Sequence, residues 1–160
     1  MPKLTTKTVG AGGSWKVIDE RPDPSVVKQL TPHSCVAAVG EMLLRGRGIV
    51  VSQQEIIDII GEPSSIDSVA AYLNSQDTTS RDERWRGLVI ERRDLSVVLR
   101  EGSFGAVMRE GSTLGHLVVV DGIVEDTLKI NDPWDGTSYR MSILEFFRHW
   151  NGEVLLRWKL

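Results

Sequence analysis

The chain has 160 residues, of which 41% are hydrophobic and 26% charged, so one domain with a full core is expected. Its formal net charge of -3 gives no overall attraction to nucleic acid or to an anionic membrane. The single cysteine excludes an intramolecular disulfide, and three scattered histidines do not suggest a metal cluster, so no metal or cofactor is expected.

The first residues predict a lead that precedes the domain. Three glycines lie close together at 10, 12 and 13, so residues 1–14 are interpreted as a linker or disordered lead and 15–160 as a single domain. No apolar run approaches transmembrane length, and the N-terminus lacks the apolar centre of a signal peptide. We therefore expect a cytoplasmic protein, or one delivered as part of a larger secreted protein, with no membrane partner.

The first half of the domain is predicted to be mainly helical. Apolar residues recur at helical spacing from about 34 to 44. Capping-box sequences at Ser52–Glu55 and Ser64–Asp67 open two further helices. The polar stretch 74–84 predicts a loop.

The second half is predicted to consist mostly of strands. Four short apolar runs separated by turn residues predict strands: 88–90, 104–108, 116–120 and 128–131. A short helix is expected at 94–99, a third capping box at Ser142–Glu145 starts a helix that ends near Trp150, and 153–160 forms a last strand. Helices followed by antiparallel strands and a late helix indicate an α+β fold.

Cys35 lies where polar, turn-forming residues give way to the first helical pattern. Unpaired amide N–H groups and the helix dipole favour a thiolate at such a position. His116 opens a Val-rich strand, and Gly115 before it leaves room for close approach, whereas His33 and His149 are poorly placed to face the thiol. Thiol, histidine and a downstream carboxylate are the components of a cysteine nucleophile site. The alternatives are a small core cysteine and a structural histidine.

Polar residues near these two supply the remaining candidates. Asp132, in the run 132–136, is the preferred acceptor for the imidazole, and Asn131 is the alternative because strand alternation does not settle which side chain faces inward. The run is also a plausible plain turn. The backbone N–H of Cys35 and the side-chain amide of Gln29 are the candidate oxyanion donors.

These residues resemble the papain-like cysteine peptidase superfamily. Cys-x-x-Ala at Cys35, His-x-Val-Val-Val-x-Gly at His116, Asp-Pro-Trp-x-Gly at Asp132 and the six-residue step from Gln29 are most similar to its compact bacterial branch, which includes bacteriocin-leader-processing peptidases. The resemblance covers roughly residues 25–157. It implies Cys35 as nucleophile, His116 as general acid/base and Asp132 as its orienter. It further implies Gln29 as oxyanion donor and Trp134 as a shield of the histidine–aspartate pair.

The implied fold is a papain-like α+β fold, in which an N-terminal helical half packs its nucleophile helix on a C-terminal antiparallel sheet. The implied function is hydrolysis of a peptide or isopeptide bond, or of a glutamine side-chain amide, in a protein substrate. Many members have glycine after the cysteine, where this chain has Val36, so the subfamily stays open. A non-catalytic binding module is disfavoured, because all four site positions carry competent residue types.

The alternative function is the C-terminal effector domain of a secreted bacterial polymorphic toxin, because papain-fold toxin domains share this fold. An immunity protein would neutralise such an effector. Seven arginines between Arg81 and Arg109 raise the possibility of action on RNA. Acidic residues are interleaved with them, so a solvated face of mixed charge is expected and nucleic acid is a disfavoured partner.

Overall fold

A computed structural model describes residues 4–9, 13–109 and 115–159. Within them the strands are β1 (Leu4–Val9), β2 (Gly13–Pro22), β3 (Glu83–Val89), β4 (Phe104–Met108), β5 (His116–Val124), β6 (Thr127–Asp132), β7 (Thr137–Ser142) and β8 (Trp150–Lys159). The helices are α1 (Cys35–Arg45), α2 (Gln53–Ile60), α3 (Ile66–Gln76), α4 (Leu95–Arg100) and α5 (Ile143–His149). The strands form one sheet in the order β1-β2-β7-β6-β5-β4-β8-β3, with antiparallel neighbours throughout. This architecture confirms the predicted α+β class.

Serine N-caps start three of these helices, close to where the sequence predicts them. The Ser52 hydroxyl accepts the Glu55 N–H at the start of α2, and the Ser142 hydroxyl accepts the Glu145 N–H at the start of α5. Helix α3 begins one residue later than predicted, because Ser65 and not Ser64 is its cap. A cap satisfies one of the orphan N–H groups of the first turn, which is why local sequence locates these helix starts well.

The strands differ more from the prediction. The predicted loop 74–84 is shorter, since α3 runs to Gln76 and β3 begins at Glu83. Strand β7 was not predicted, and it pairs with both β6 and β2. Residues 4–9 form β1, paired with β2, where a linker or disordered lead is expected, and the rest of 1–12 lies outside the described residues. Assignment of 15–160 to one domain stays a prediction.

The alternating side chains of β5 divide between two cores. Leu117 and Val119 belong to a core shared with α1, α2 and α3, whereas Val118 and Val120 belong to a core on the other face with α4 and α5. A strand covered on both faces is apolar at every position, which explains the uninterrupted run after His116.

Strand β6 pairs with β5 in a register that places Asn131 opposite Val119. A bulge follows, because the register shifts between Val120 and Gly122, and Gly122 has a positive φ of 154°. Since cross-strand partners share a face and successive residues alternate, Asp132 lies on the face of Val118 and His116. Asn131 therefore lies on the opposite face.

Candidate active site

Cys35 is the first residue of α1, as predicted, and is 7% exposed. The preceding turn is closed by Ser34, whose N–H and hydroxyl both donate to the Thr31 carbonyl, while the Thr31 N–H donates to the Ser34 hydroxyl. The first turn of α1 holds no acidic residue. The helix dipole therefore acts on the thiolate without a competing negative charge.

His116 and Asp132 form a fully buried pair at the start of β5 and the end of β6. Nε2 of His116 lies 2.7 Å from Oδ1 of Asp132, and both side chains have 0% exposure. The same oxygen accepts the Trp134 backbone N–H at 2.9 Å. The Trp134 ring stands edge-on to the imidazole with centroids 6.3 Å apart. The structure thus pairs the imidazole with Asp132, while the side-chain oxygen of Asn131 has no hydrogen-bond partner among the described residues.

The other imidazole nitrogen, Nδ1, is buried and has no hydrogen-bond partner within the described part of the chain. Cys35 is nevertheless close enough to perturb it. Burial lowers the pKa of His116, but the Asp132 charge and hydrogen bond, together with Cys35, outweigh burial and raise it to about 9. Burial raises the pKa of Cys35, but the hydrogen bond and charge of His116 outweigh it and the net direction is down. Both shifts favour a thiolate–imidazolium pair.

Gln29 is 7% exposed, and the segment that carries it is held on both sides. Its backbone N–H donates to the Pro133 carbonyl at 2.7 Å, and its Nε2 donates to the Thr31 carbonyl at 2.8 Å. A carboxamide nitrogen carries two N–H groups, so one remains for a ligand. Gln53 fixes the backbone next to Gln29 by accepting the Leu30 N–H and donating to the carbonyl of residue 28.

Two aromatic residues that the sequence did not single out for the site lie behind Asp132. The Tyr139 hydroxyl donates to Oδ2 of Asp132 at 2.8 Å, and the indole N–H of Trp15 donates to the Tyr139 oxygen at 3.0 Å. The Trp15 ring also lies stacked on His116, with centroids 6.2 Å apart and an interplanar angle of 22°. Trp15 and Tyr139 are 124 residues apart in the sequence, which explains why no local pattern reveals their hydrogen bond.

A cleft of about 500 Å³ opens beside Cys35. Its walls are largely apolar and include Val36, Ile66, Leu88 and Leu117. Its charged lining residues are Asp67 and the pair Arg109–Glu153, which forms an ion pair at 3.0 Å. An apolar groove with few polar groups suits an extended peptide segment with apolar side chains.

The remaining histidines make contacts other than those of His116. His149 bonds to Glu145, with Nε2 3.2 Å from Oε2, and His33 is an exposed residue at the rim of the cleft. No group of three or more potential metal ligands occurs among residues 4–9, 13–109 and 115–159. In the same residues no helix has the length and apolarity needed to span a bilayer.

The sequence profile of the Peptidase C39 family matches residues 23–160. The chain belongs to this family. Membership confirms the predicted papain-like superfamily and makes the chain a cysteine peptidase. A curated relative, cysteine protease effector 1 of Escherichia coli O1:K1:H7, is 42% identical over 151 residues. These residues are 92% of this chain and 30% of the relative, so the chain spans about a third of that protein's length.

Solved structures of C39 peptidases share the fold. The peptidase domain of Streptococcus ComA, a bifunctional ABC transporter, has a TM-score of 0.63 at 18% identity, covering 84% of this chain and 97% of that domain. A double-glycine-motif protease from an AMS/PCAT transporter, in complex with its leader peptide, has a TM-score of 0.66 at 22% identity, covering 84% and 91%. A C39-like peptidase from Bacillus anthracis gives 0.64 at 12% identity, covering 84% and 93%. The papain-like fold prediction is therefore confirmed.

Proposed function

We propose that Cys35, His116 and Asp132 form the catalytic triad of this C39 peptidase, with Gln29 as oxyanion donor. The observation that carries the proposal is the buried His116–Asp132 pair at 2.7 Å, which engages Nε2 and leaves Nδ1 for the thiol. Contacts between nucleophile and base tighten in many enzymes only when substrate is bound. The absence of a hydrogen bond to Nδ1 among the described residues is consistent with that behaviour.

In the proposed reaction, the Cys35 thiolate attacks the carbonyl carbon of the scissile bond. The carbonyl oxygen becomes an oxyanion, which accepts hydrogen bonds from the Cys35 N–H and from Nε2 of Gln29. The Nδ1 proton of His116 passes to the leaving amine as the C–N bond breaks, leaving a thioester. Neutral His116 then takes a proton from water, whose hydroxide attacks the thioester, releases the acid and restores the thiolate–imidazolium pair.

A peptide or protein chain is the proposed substrate. The apolar cleft beside Cys35 accommodates an extended segment, and one structural relative was solved with a leader peptide bound. Hydrolysis of an isopeptide bond or of a glutamine side-chain amide uses the same attack and the same proton transfers, with ammonia as the leaving group in the latter case. Trp134, edge-on to His116, is proposed to keep water from the buried pair.

The second candidate function places the same chemistry in a secreted bacterial effector toxin neutralised by an immunity protein. It is favoured by the 42% identity to a protein named cysteine protease effector 1, of which the chain covers 30%. Delivery within a larger protein would follow, whereas a cytoplasmic peptidase is the alternative. Arg93 pairs with Glu91, and Arg109 with Glu153, as expected of a mixed-charge face. We therefore propose a protein substrate in preference to RNA.

The first test is the pH dependence of Cys35 alkylation by iodoacetamide. One cysteine makes the signal unambiguous. We expect thiolate reactivity well below the ordinary thiol pKa of about 8.5, and its loss in His116→Ala. An ordinary midpoint that the substitution leaves unchanged would overturn the triad.

Induced expression in bacteria tests the effector candidate. Growth arrest by the wild-type chain, absent for Cys35→Ser at equal expression, supports a toxic protease. Equal growth of both strains at the same protein level contradicts it.

A further inference from the structure

Asp132 is held by more than its histidine. Its Oδ2 accepts the Tyr139 hydroxyl, and the Tyr139 oxygen accepts the indole N–H of Trp15. All three side chains are buried, with Trp15 1%, Tyr139 2% and Asp132 0% exposed. We propose that Trp15 and Tyr139 are positioning residues of the active site, which fix the Asp132 carboxylate against His116 through this chain of hydrogen bonds. The inference rests on the proposed triad.

Each hydrogen bond of this chain has a fixed donor and a fixed acceptor, so the bonds all run from Trp15 toward Asp132. Oδ1 of Asp132 faces the imidazole and also accepts the Trp134 N–H, while the Tyr139 hydroxyl holds Oδ2, the other oxygen of the carboxylate. Because the indole N–H of Trp15 can only donate, the Tyr139 oxygen accepts from it and the hydroxyl proton points to Asp132. A buried carboxylate without that hydroxyl would lose a charge-assisted hydrogen bond and be held less firmly in its orientation toward His116.

Other contacts hold the Trp15 ring in place. On one side it lies roughly parallel to the His116 imidazole, with ring centroids 6.2 Å apart and an interplanar angle of 22°. On another side it meets His149, with centroids 5.7 Å apart, and His149 bonds to Glu145. Trp15 is thereby fixed between two imidazoles, and its indole N–H keeps one direction.

Strand β2, which carries Trp15, precedes the region matched by the family. The match begins at residue 23, whereas Trp15 lies in Gly13–Pro22. Strand β2 pairs with β7, the strand of Tyr139, through Ile18–Arg140. The site therefore draws on a strand outside the matched family region, through the pairing of β2 with β7.

Two donor-deleting variants, read against a matched control, separate positioning from packing. Trp15→Phe keeps an aromatic ring and removes the indole N–H together with the pyrrole ring, and Tyr139→Phe removes only the hydroxyl. The low-pH midpoint of Cys35 alkylation reports how well Asp132 supports the His116 imidazolium. We expect each variant to slow alkylation at the wild-type midpoint by about three- to tenfold, the range typical of one lost hydrogen bond. In an Asp132→Ala background neither substitution should slow it further.

Trp85→Phe is the matched control. Trp85 is a buried tryptophan whose indole N–H donates to the carboxylate of Asp77 at 3.0 Å, in the core on the α1 face. It should lower the free energy of unfolding and leave the alkylation midpoint unchanged. If Asp132→Ala does not fold, the comparison with Trp85→Phe alone distinguishes positioning from packing. If Trp15→Phe does not fold, Tyr139→Phe alone tests the chain of hydrogen bonds.

Two results would overturn the inference. One is an unchanged midpoint in both folded variants, and the other is a shift of equal size with and without Asp132. A wild-type thiol of ordinary reactivity, unaffected by His116→Ala, would instead remove the proposed triad itself. The two failures are therefore distinguishable in one data set.

Discussion

Asp132 and Asn131 are neighbours in β6, yet only Asp132 reaches His116, with Oδ1 2.7 Å from Nε2. Because the two side chains lie on opposite faces of the sheet, their substitutions should differ sharply. Asp132→Asn is expected to lower kcat/KM by at least about 100-fold, since the amide supports an imidazolium poorly. Asn131→Ala should stay within about twofold. Steady-state hydrolysis of a cleaved peptide measures both, and equal losses would contradict the assignment of the carboxylate.

The pH dependence of hydrolysis should be bell-shaped. The pKa of Cys35 is lowered, so the thiolate forms on the acid limb, and the pKa of His116 is raised to about 9, so the imidazolium proton is lost on the alkaline limb. Both limbs are macroscopic properties of the pair. Asp132→Asn should move the alkaline limb down toward the ordinary histidine value of about 6.5. An alkaline limb that does not respond would show that Asp132 does not act on His116.

Gln53 should support the oxyanion donor without affecting the thiolate. Its buried amide joins the backbone on both sides of Gln29, at 3.1 Å to the Leu30 N–H and 2.6 Å to the carbonyl of residue 28. Gln53→Ala should lower kcat about tenfold by loosening Gln29, with an unchanged Cys35 alkylation profile. Gln54→Ala is the control, since exposed Gln54 donates to Asp58 on its own helix. If Gln53→Ala also slowed Cys35 alkylation, Gln53 would stabilise the fold in general and would not act specifically through Gln29.

Gly115 should be required for the approach of β5 to β4. A Cβ at this position would lie 2.4 Å from Cγ1 of Val107, so in Gly115→Ala the Val107 side chain or the start of β5 must shift, and we expect His116 to move with the strand. We expect a loss of about 1–3 kcal/mol in the free energy of unfolding and a loss of activity, partly restored by adding Val107→Ala. Gly46→Ala, with φ -61° and no atom nearer than 3.4 Å, is the tolerated control. Denaturant unfolding and hydrolysis rates measure the two effects.

Asp77 should make stability depend on acid pH independently of the active site. Burial raises its pKa, but hydrogen bonds from Thr79, Trp85 and Arg47 outweigh burial and lower it to about 2. A depressed folded-state pKa contributes stability that is complete above the unfolded value near 4 and is lost as pH falls toward 2. Asp77→Asn should therefore cost about 2 kcal/mol at pH 7 and much less at pH 2.5. Urea unfolding at the two pH values measures this, and an equal cost at both would assign the loss to packing.

Local signals in the sequence predicted what depends on neighbours along the chain. The helix start at Cys35, the cap at Ser52 and the strand after His116 each follow from residues within one or two turns of the position. The site residues were then assigned by their chemistry and their resemblance to a family. The contact of His116 with Asp132 in place of Asn131 required strand register, which the alternation of a single strand does not fix.

Long-range contacts account for what the sequence left out. Strand β7 reads as polar, and only its position between β6 and β2 buries Thr137, Ser138 and Tyr139. Gln53 appeared only as part of a helix cap, whereas its amide holds a segment 23 residues away. Such roles depend on which elements meet in the fold, and a composition or spacing pattern contains no trace of them.

The bulge at Gly122 helps to fix the register of β6, and that register decides which side chain of β6 meets His116. A slip of β6 by one residue would exchange the faces of Asp132 and Asn131 and place a neutral amide beside the imidazole. Such a molecule could retain its helices and strands and still be inert. The bulge, which interrupts the ladder between Val120 and Gly122, opposes the slip. Replacement of Gly122 should therefore give a mixed population of folded molecules. A constant fraction would be inactive and the rest would be fully active, instead of every molecule being slower.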